Sequence, residues 1–205
     1  MKALLFLFGE PPKQLPNAEG YDVIACTDGA FHYLKDKDFD LELLTFISGD
    51  FDSHTSTDEN LYHDKFIWTP NQDFTDFEKA LDLLSNKGVT DVDVYGGSGK
   101  EMDHYLGNLS SAYYFKDRMN IVFFDEFSSY YFIPKSFSIQ NVKGKMISLY
   151  PFPIAENVVT KGLNWSLNNE TLSSTQRIGT RNFAKDDEVS IEYQHGDMLF
   201  FVALT

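Results

Sequence analysis

The chain has one cysteine, Cys26, in 205 residues, so no intrachain disulfide can staple it and its stability must come from packing. Lodged in the apolar run Val23-Ile24-Ala25-Cys26, that thiol reads as a small core residue rather than a nucleophile. Positive charge is also scarce. The 17 Lys and Arg stand against 31 Asp and Glu, and the resulting net charge of −14 argues against general nucleic-acid binding, which needs a basic surface. No apolar run approaches the roughly 18 residues of a membrane-spanning helix. The amino terminus lacks a charged region followed by an apolar run and a cleavage site, so neither membrane insertion nor secretion is expected and the cytoplasm is the default location. No Gly-x-Gly-x-x-Gly follows the first strand-like run, and Phe8-Gly9-Glu10-Pro11 makes a poor phosphate cradle, which disfavours an NAD-dependent oxidoreductase.

What is present is an alternation of two grammars. Apolar runs at Ala3 to Phe8, Asp22 to Cys26, Leu41 to Ser48, Phe66 to Thr69, Asp91 to Tyr95 and Asn120 to Asp125 read as strands. Helical spacing falls between them, at Ala30 to Lys35, Asp58 to Tyr62, Asp76 to Lys87 and Asp103 to Phe115. The clearest helix is Asp76 to Lys87, where Phe77, Ala80, Leu81 and Leu84 share one stripe and Gly88 ends it. Such alternation predicts an α/β fold, a mostly parallel sheet with helices on both faces. After about Phe127 only short β-type runs remain: Tyr130 to Ile133, Ser136 to Ile139, Met146 to Tyr150, Val158 to Lys161, Glu188 to Tyr193 and Met198 to Ala203. The expected organisation is therefore an α/β domain over residues 1–130 and an all-β sandwich or roll over 131–205.

The chemistry is written at the predicted strand ends. Gly49-Asp50-Phe51-Asp52-Ser53 places two carboxylates behind a glycine, and in an extended segment residues i and i+2 face the same way, so both can reach one hard cation. Taken alone this is as readily a solvated acidic turn. Thr27-Asp28-Gly29-Ala30 follows the second run, Asn71-Gln72-Asp73-Phe74-Thr75-Asp76-Phe77-Glu78-Lys79 follows the fourth, and Gly96-Gly97-Ser98-Gly99-Lys100-Glu101-Met102-Asp103-His104 follows the fifth. Four unrelated turns would rarely carry acid and glycine in that order, and ligands of open parallel sheets bind beyond the carboxyl ends of the strands. With so acidic a chain, a polyphosphate would be repelled unless a divalent cation neutralised the contact.

At these four segments the chain resembles the thiamine pyrophosphokinase family, whose members move a diphosphate from ATP to the hydroxyethyl group of thiamine. Thr160-Lys161-Gly162-Leu163-Asn164-Trp165-Ser166-Leu167 is similar to the segment that opens the family's thiamine-contacting β region. The resemblance implies Mg²⁺ as cofactor, ATP and thiamine as substrates, release of AMP, and a homodimer with active sites at the subunit interface. It implies metal ligation by Asp50, Asp52 and Asp76, and nucleotide contacts from Asp28, Lys79, Gly96, Gly97, Gly99, Lys100 and His104. Gln72, Trp165, Thr180 and Asn182 fall where thiamine would be contacted, and Asp76 or Asp103 is the implied proton acceptor. The chain departs from the family where a phosphate-contacting arginine falls on Glu101 and the glycine before it on Lys100.

Plainer roles compete for several of these residues. Asp76 suits a helix amino terminus, Lys79 suits a solvated helix face, His104 suits a structural role, and Trp165 suits the core of the β domain. A diphosphokinase for another hydroxylated heterocycle, or a non-catalytic thiamine- or nucleotide-binding relative, remains the alternative function.

Overall fold

The computed structural model describes residues 1–50 and 62–205; the predicted helix at Asp58 to Tyr62 and the candidate ligand Asp52 lie wholly or largely outside the described residues. The chain divides into two compact units, Met1–Glu126 and Phe127–Thr205.

In the first unit, strands β1 (Lys2–Phe6), β2 (Val23–Thr27), β3 (Phe46–Gly49), β4 (Phe66–Trp68), β5 (Asp91–Tyr95) and β6 (Asn120–Phe124) form a parallel sheet in the order β4-β3-β2-β1-β5-β6. The strands carry almost unbroken apolar sequence because both sheet faces are covered. Alternation sorts their residues. Leu4, Phe6, Ile24, Cys26 and Ile47 join Phe31 and Leu34 of helix α1 (Asp28–Asp36) in one cluster. Helix α2 (Asp76–Asn86) packs on β2 and β3, with Phe77 meeting the Phe123 ring edge-on at 5.6 Å. Helix α3 (Met102–Phe115) lies beside α2. Cys26 is fully buried and burial pushes its thiol up, as suits a core residue.

The strand order places the site. The chain steps outward from β1 through β2, β3 and β4, then returns to the other side of β1 with β5. A sheet that reverses direction in this way opens a crevice at the carboxyl ends of the strands around the switch. Leu41 to Ser48 is not the continuous strand expected. Asp40 accepts a hydrogen bond from the Glu42 amide at 3.1 Å and starts a 3-10 turn at Leu41–Leu43, so the strand begins only at Phe46.

The second unit is antiparallel. It contains β7 (Ser128–Ile133), β8 (Ser136–Ile139), β9 (Met146–Lys161), β10 (Asn168–Ser173), β11 (Gly179–Phe183), β12 (Val189–Glu192) and β13 (His195–Ala203). The two expected strands within 146–161 are one long strand, β9. Its first part pairs with β13 and β11, and its last part with β12 and β10. Pro151 and Pro153 hid this continuity, since proline cannot donate to a ladder. The β13 pairing shifts register just opposite, between Gly196 and Met198. Strands β10 and β11 are polar and bulged, which is why no apolar run announced them. The core beneath is built by Ile147, Leu149, Val158, Leu172, Val189, Ile191, Met198 and Phe200.

Candidate functional site

A cleft of about 450 Å³ opens in the first unit where the strands end. Asp28 arrives at the start of α1, Asp50 just past β3, Gln72 and Phe74 after β4, Asp76 and Lys79 on α2, and Gly97, Gly99 and Lys100 from the loop after β5. Glu101, Asp103 and His104 line it from the start of α3.

Local chemistry fixes each group. Thr75 caps α2, its hydroxyl accepting from the Glu78 amide at 3.1 Å, so the cap role anticipated for Asp76 belongs to its neighbour. Asp76 is left to pair with Lys79, whose ammonium lies 2.7 Å from its carboxylate and also donates to the Thr69 carbonyl at 2.9 Å. Lys79 is therefore no solvated lysine: its side chain is 10% exposed, and it ties the end of β4 to the start of α2. The Gln72 amide reaches the Asp50 carboxylate at 3.4 Å. The Asp28 carboxylate lies where a side chain on Gly49 would be, at 2.3 Å from the position of that absent Cβ, so glycine is required for Asp28 and Asp50 to share this rim.

The loop after β5 is clasped to the end of β1. The Gly9 amide donates to the Gly96 carbonyl at 2.7 Å and the Glu10 amide to the Ser98 carbonyl at 2.8 Å. Gly96, at φ 69°, lies so close that a Cβ there would approach the Leu7 carbonyl oxygen to 2.2 Å. Asn108 donates to the Gly97 carbonyl at 2.9 Å and fixes the loop from α3. Gly97 and Gly99 thus line the cleft, whereas Gly96 is buried against the Leu7 carbonyl and does not line it. Asp103 accepts from the His104 amide at 3.0 Å, and the His104 imidazole faces Glu101 at 3.5 Å.

The cleft includes residues that the sequence reading passed over. Phe8 and Gly9 were set aside for lacking a dinucleotide motif, yet they follow the central strand, and position alone was the available signal. Tyr105 and Asn108 follow from helical spacing on α3.

In the second unit Trp165 is 63% exposed and so does not belong to the core. Asn182 hydrogen-bonds the Trp165 backbone. Thr180 lies one strand position from Arg181, whose φ is 58° and whose amide donates to the Ser148 hydroxyl at 2.9 Å.

Among the described residues, no three His, Cys, Asp or Glu side chains converge closely enough to hold a metal unaided, and no helix is long and apolar enough to cross a membrane.

Two family models match the chain: thiamin pyrophosphokinase, catalytic domain, over residues 17–123, and thiamin pyrophosphokinase, vitamin B1 binding domain, over residues 133–197. The thiamine pyrophosphokinase of Bacillus subtilis is 29% identical over 209 residues, covering 90% of this chain and 95% of that protein. Thiamine pyrophosphokinase 1 of rice, Oryza sativa subsp. japonica, is 27% identical over 146 residues, which span 65% of this chain and 54% of the rice protein. In fold, the chain is similar to the crystal structure of a thiamin pyrophosphokinase family protein from Enterococcus faecalis, with a TM-score of 0.84 at 19% identity over 100% of both chains.

Proposed function

The chain belongs to the thiamin pyrophosphokinase family, a family of diphosphotransferases, and we propose from that premise that it converts thiamine and ATP to thiamine diphosphate and AMP in the cleft of its first unit. The observation that carries the assignment to this cleft is convergence: residues from all four acid- and glycine-bearing strand ends line one cavity.

In this reaction the thiamine hydroxyl oxygen forms a bond to the β-phosphorus as the bond from that phosphorus to the oxygen of AMP breaks. The protein's task is to hold the two in line and to answer the charge. Asp76 or Asp103 accepts the hydroxyl proton. Lys79 keeps the Asp76 carboxylate oriented, through the ion pair already described. Gly97 and Gly99 let the phosphates approach the backbone, with Asp28, Lys100 and His104 around them. Gln72 of the first unit and Trp165, Thr180 and Asn182 of the second are the residues assigned to thiamine.

The donor chemistry fits Mg²⁺. Asp28, Asp50 and Asp76 bring only hard oxygens to the cleft, and such a cation is ordinarily held by one or two carboxylates, water and substrate phosphates rather than by a closed protein cage. Asp50 and Asp76 would hold it, together with Asp52 outside the described residues, and it supplies the positive charge that an acidic cleft needs before it can accept a polyphosphate. Assembly as a homodimer and a cytoplasmic location belong to the same proposal, the former tested by light scattering after size exclusion.

Incubation with ATP, Mg²⁺, thiamine and a panel of thiamine-like alcohols, followed by mass detection, tests the reading. AMP and thiamine diphosphate in equal amounts are expected. Diphosphorylation of a different alcohol alone would establish the other hydroxylated heterocycle suggested by Glu101, and binding without AMP formation would make the protein a non-catalytic relative.

A further inference from the structure

Two lysines and a histidine line the cleft, and they are not equivalent. The Lys79 ammonium is committed to Asp76 and the Thr69 carbonyl. His104 faces Glu101. The Lys100 ammonium, among the described residues, makes neither an ion pair nor a hydrogen bond. It rests over the Phe8 ring, 3.4 Å from the ring centre.

Both side chains are exposed, and the backbone packing around them sets where each emerges. Phe8 follows β1 and lies against Gly29, where an added Cβ would come within 2.6 Å of the ring. Lys100 sits in the left-handed region at φ 54°, directly after the loop that pairs with Gly9 and Glu10. The ring therefore presents its face where the backbone delivers the ammonium. A π face attracts a cation but takes up none of its three N–H donors. A carboxylate in the same place would neutralise the charge and compete with any anion. With Asp28, Asp50, Asp76, Asp103 and Glu101 all lining the cleft, keeping one lysine off a carboxylate needs a competing attraction, and Phe8 provides it.

We propose that Phe8 is a positioning residue that holds the Lys100 ammonium, uncommitted, as the cation that receives the phosphates of the nucleotide. The inference rests on reading the cleft as a nucleotide site and adds to that reading the device that keeps its cation available. Phe8 acts through Lys100 and not on the reacting atoms, so its removal weakens nucleotide capture and leaves the acceptor side untouched.

The test measures Michaelis constants for ATP and for thiamine, and ATP affinity by calorimetry without thiamine, in Phe8→Leu, Phe8→Tyr, Lys100→Met and the Phe8→Leu/Lys100→Met double variant. Lys100→Met and Phe8→Leu should each weaken ATP binding by about tenfold, the scale of one charge-assisted contact. The thiamine constant should stay unchanged, Phe8→Tyr should bind ATP like the parent, and the double variant should be no worse than Lys100→Met. Additive losses, or an unchanged ATP affinity in Phe8→Leu, overturn the proposal. A second readout does not depend on any Phe8 variant folding. In the parent protein with isotopically methylated lysines, the Lys100 methyl resonance should be shifted upfield by the ring and should keep that upfield shift when ATP is added, because the ring and the phosphates engage the ammonium together. No upfield shift also overturns it. A parent that binds ATP with these signatures but transfers no diphosphate overturns the proposed reaction and not the role of Phe8.

Discussion

Asn182 grips Trp165 by both polar groups of its backbone. Its side-chain oxygen accepts from the Trp165 amide at 3.2 Å, and its side-chain nitrogen donates to the Trp165 carbonyl at 2.8 Å. The same oxygen also accepts from the Phe183 amide at 2.9 Å, so the side chain extends the pairing that begins with the Leu163–Ala184 bridge and the Asn164 amide's hydrogen bond to the Phe183 carbonyl at 2.9 Å. The indole is left standing in solvent, 6.5 Å from the Phe183 ring centre. Exposing so large an apolar ring while bracing its backbone is the pattern of a residue kept for contact with something else. Asn182, read from the sequence as a candidate polar contact of thiamine, also presents the tryptophan.

Trp165→Ala should therefore raise the Michaelis constant for thiamine by about tenfold, on the scale of a desolvated cation–π contact, with the ATP constant unchanged. Its melting temperature should stay close to that of the parent because little packing is lost. Asn182→Ala should shift the thiamine constant in the same direction and cost about 1 kcal/mol of stability, measured by urea unfolding. A Trp165→Ala protein that melts far lower with unaltered thiamine affinity would return Trp165 to a packing role.

Asp50→Asn should lower turnover by at least about a hundredfold without loss of fold, since it removes a carboxylate that would hold the cation neutralising the phosphates. Titration with Mg²⁺ should show a raised requirement in the variant. Parent-like turnover at low Mg²⁺ would remove Asp50 from the metal site. Asp52→Asn is expected to behave alike.

Lys79→Met should release the Asp76 carboxylate and the Thr69 carbonyl together. Turnover should fall by about tenfold or more, and the Michaelis constant for ATP should change less, because the loss is in orienting Asp76 rather than in gripping nucleotide. Lys79→Arg retains the charge and should recover part of the rate. If Lys79 instead contacts phosphate directly, the ATP constant will carry most of the effect.

Glu101→Arg places a planar donor where the chain carries a carboxylate at a family arginine position. Among the described residues Glu101 forms an ion pair only with His104, and both side chains are largely exposed, so the substitution should fold normally. With Lys100 serving the phosphates, ATP binding should be equal or tighter. Abolished activity with intact ATP binding would show Glu101 recruited to the acceptor or to a second cation.

Much of the cleft was legible because its residues are tied to strand ends. A carboxylate and a glycine after an apolar run specify both a place and a chemistry, and Asp28, Asp50, Asp76 and Gly97 were found that way. What escaped notice depends on partners distant in sequence. Phe8 carries no motif of its own, and its meaning comes from Lys100 and Gly29, brought to it by β2 and β5. Thr75 and Asp76 are equally plausible caps in the sequence, and only the Lys79 ion pair separates their roles. Strand β9 was split because two prolines suggest interruption, whereas its continuity comes from four partner strands that local sequence does not name.

Both tryptophans of the chain, Trp68 at 68% and Trp165 at 63% exposure, face water in the native state. Their emission will resemble that of free indole whether or not the protein is folded, so intrinsic fluorescence is a poor optical probe of denaturation here. The same circumstance makes it a sensitive probe of whatever comes to lie against those rings, with Trp68 at the end of β4 and Trp165 in the second unit giving separable signals once either is replaced by phenylalanine.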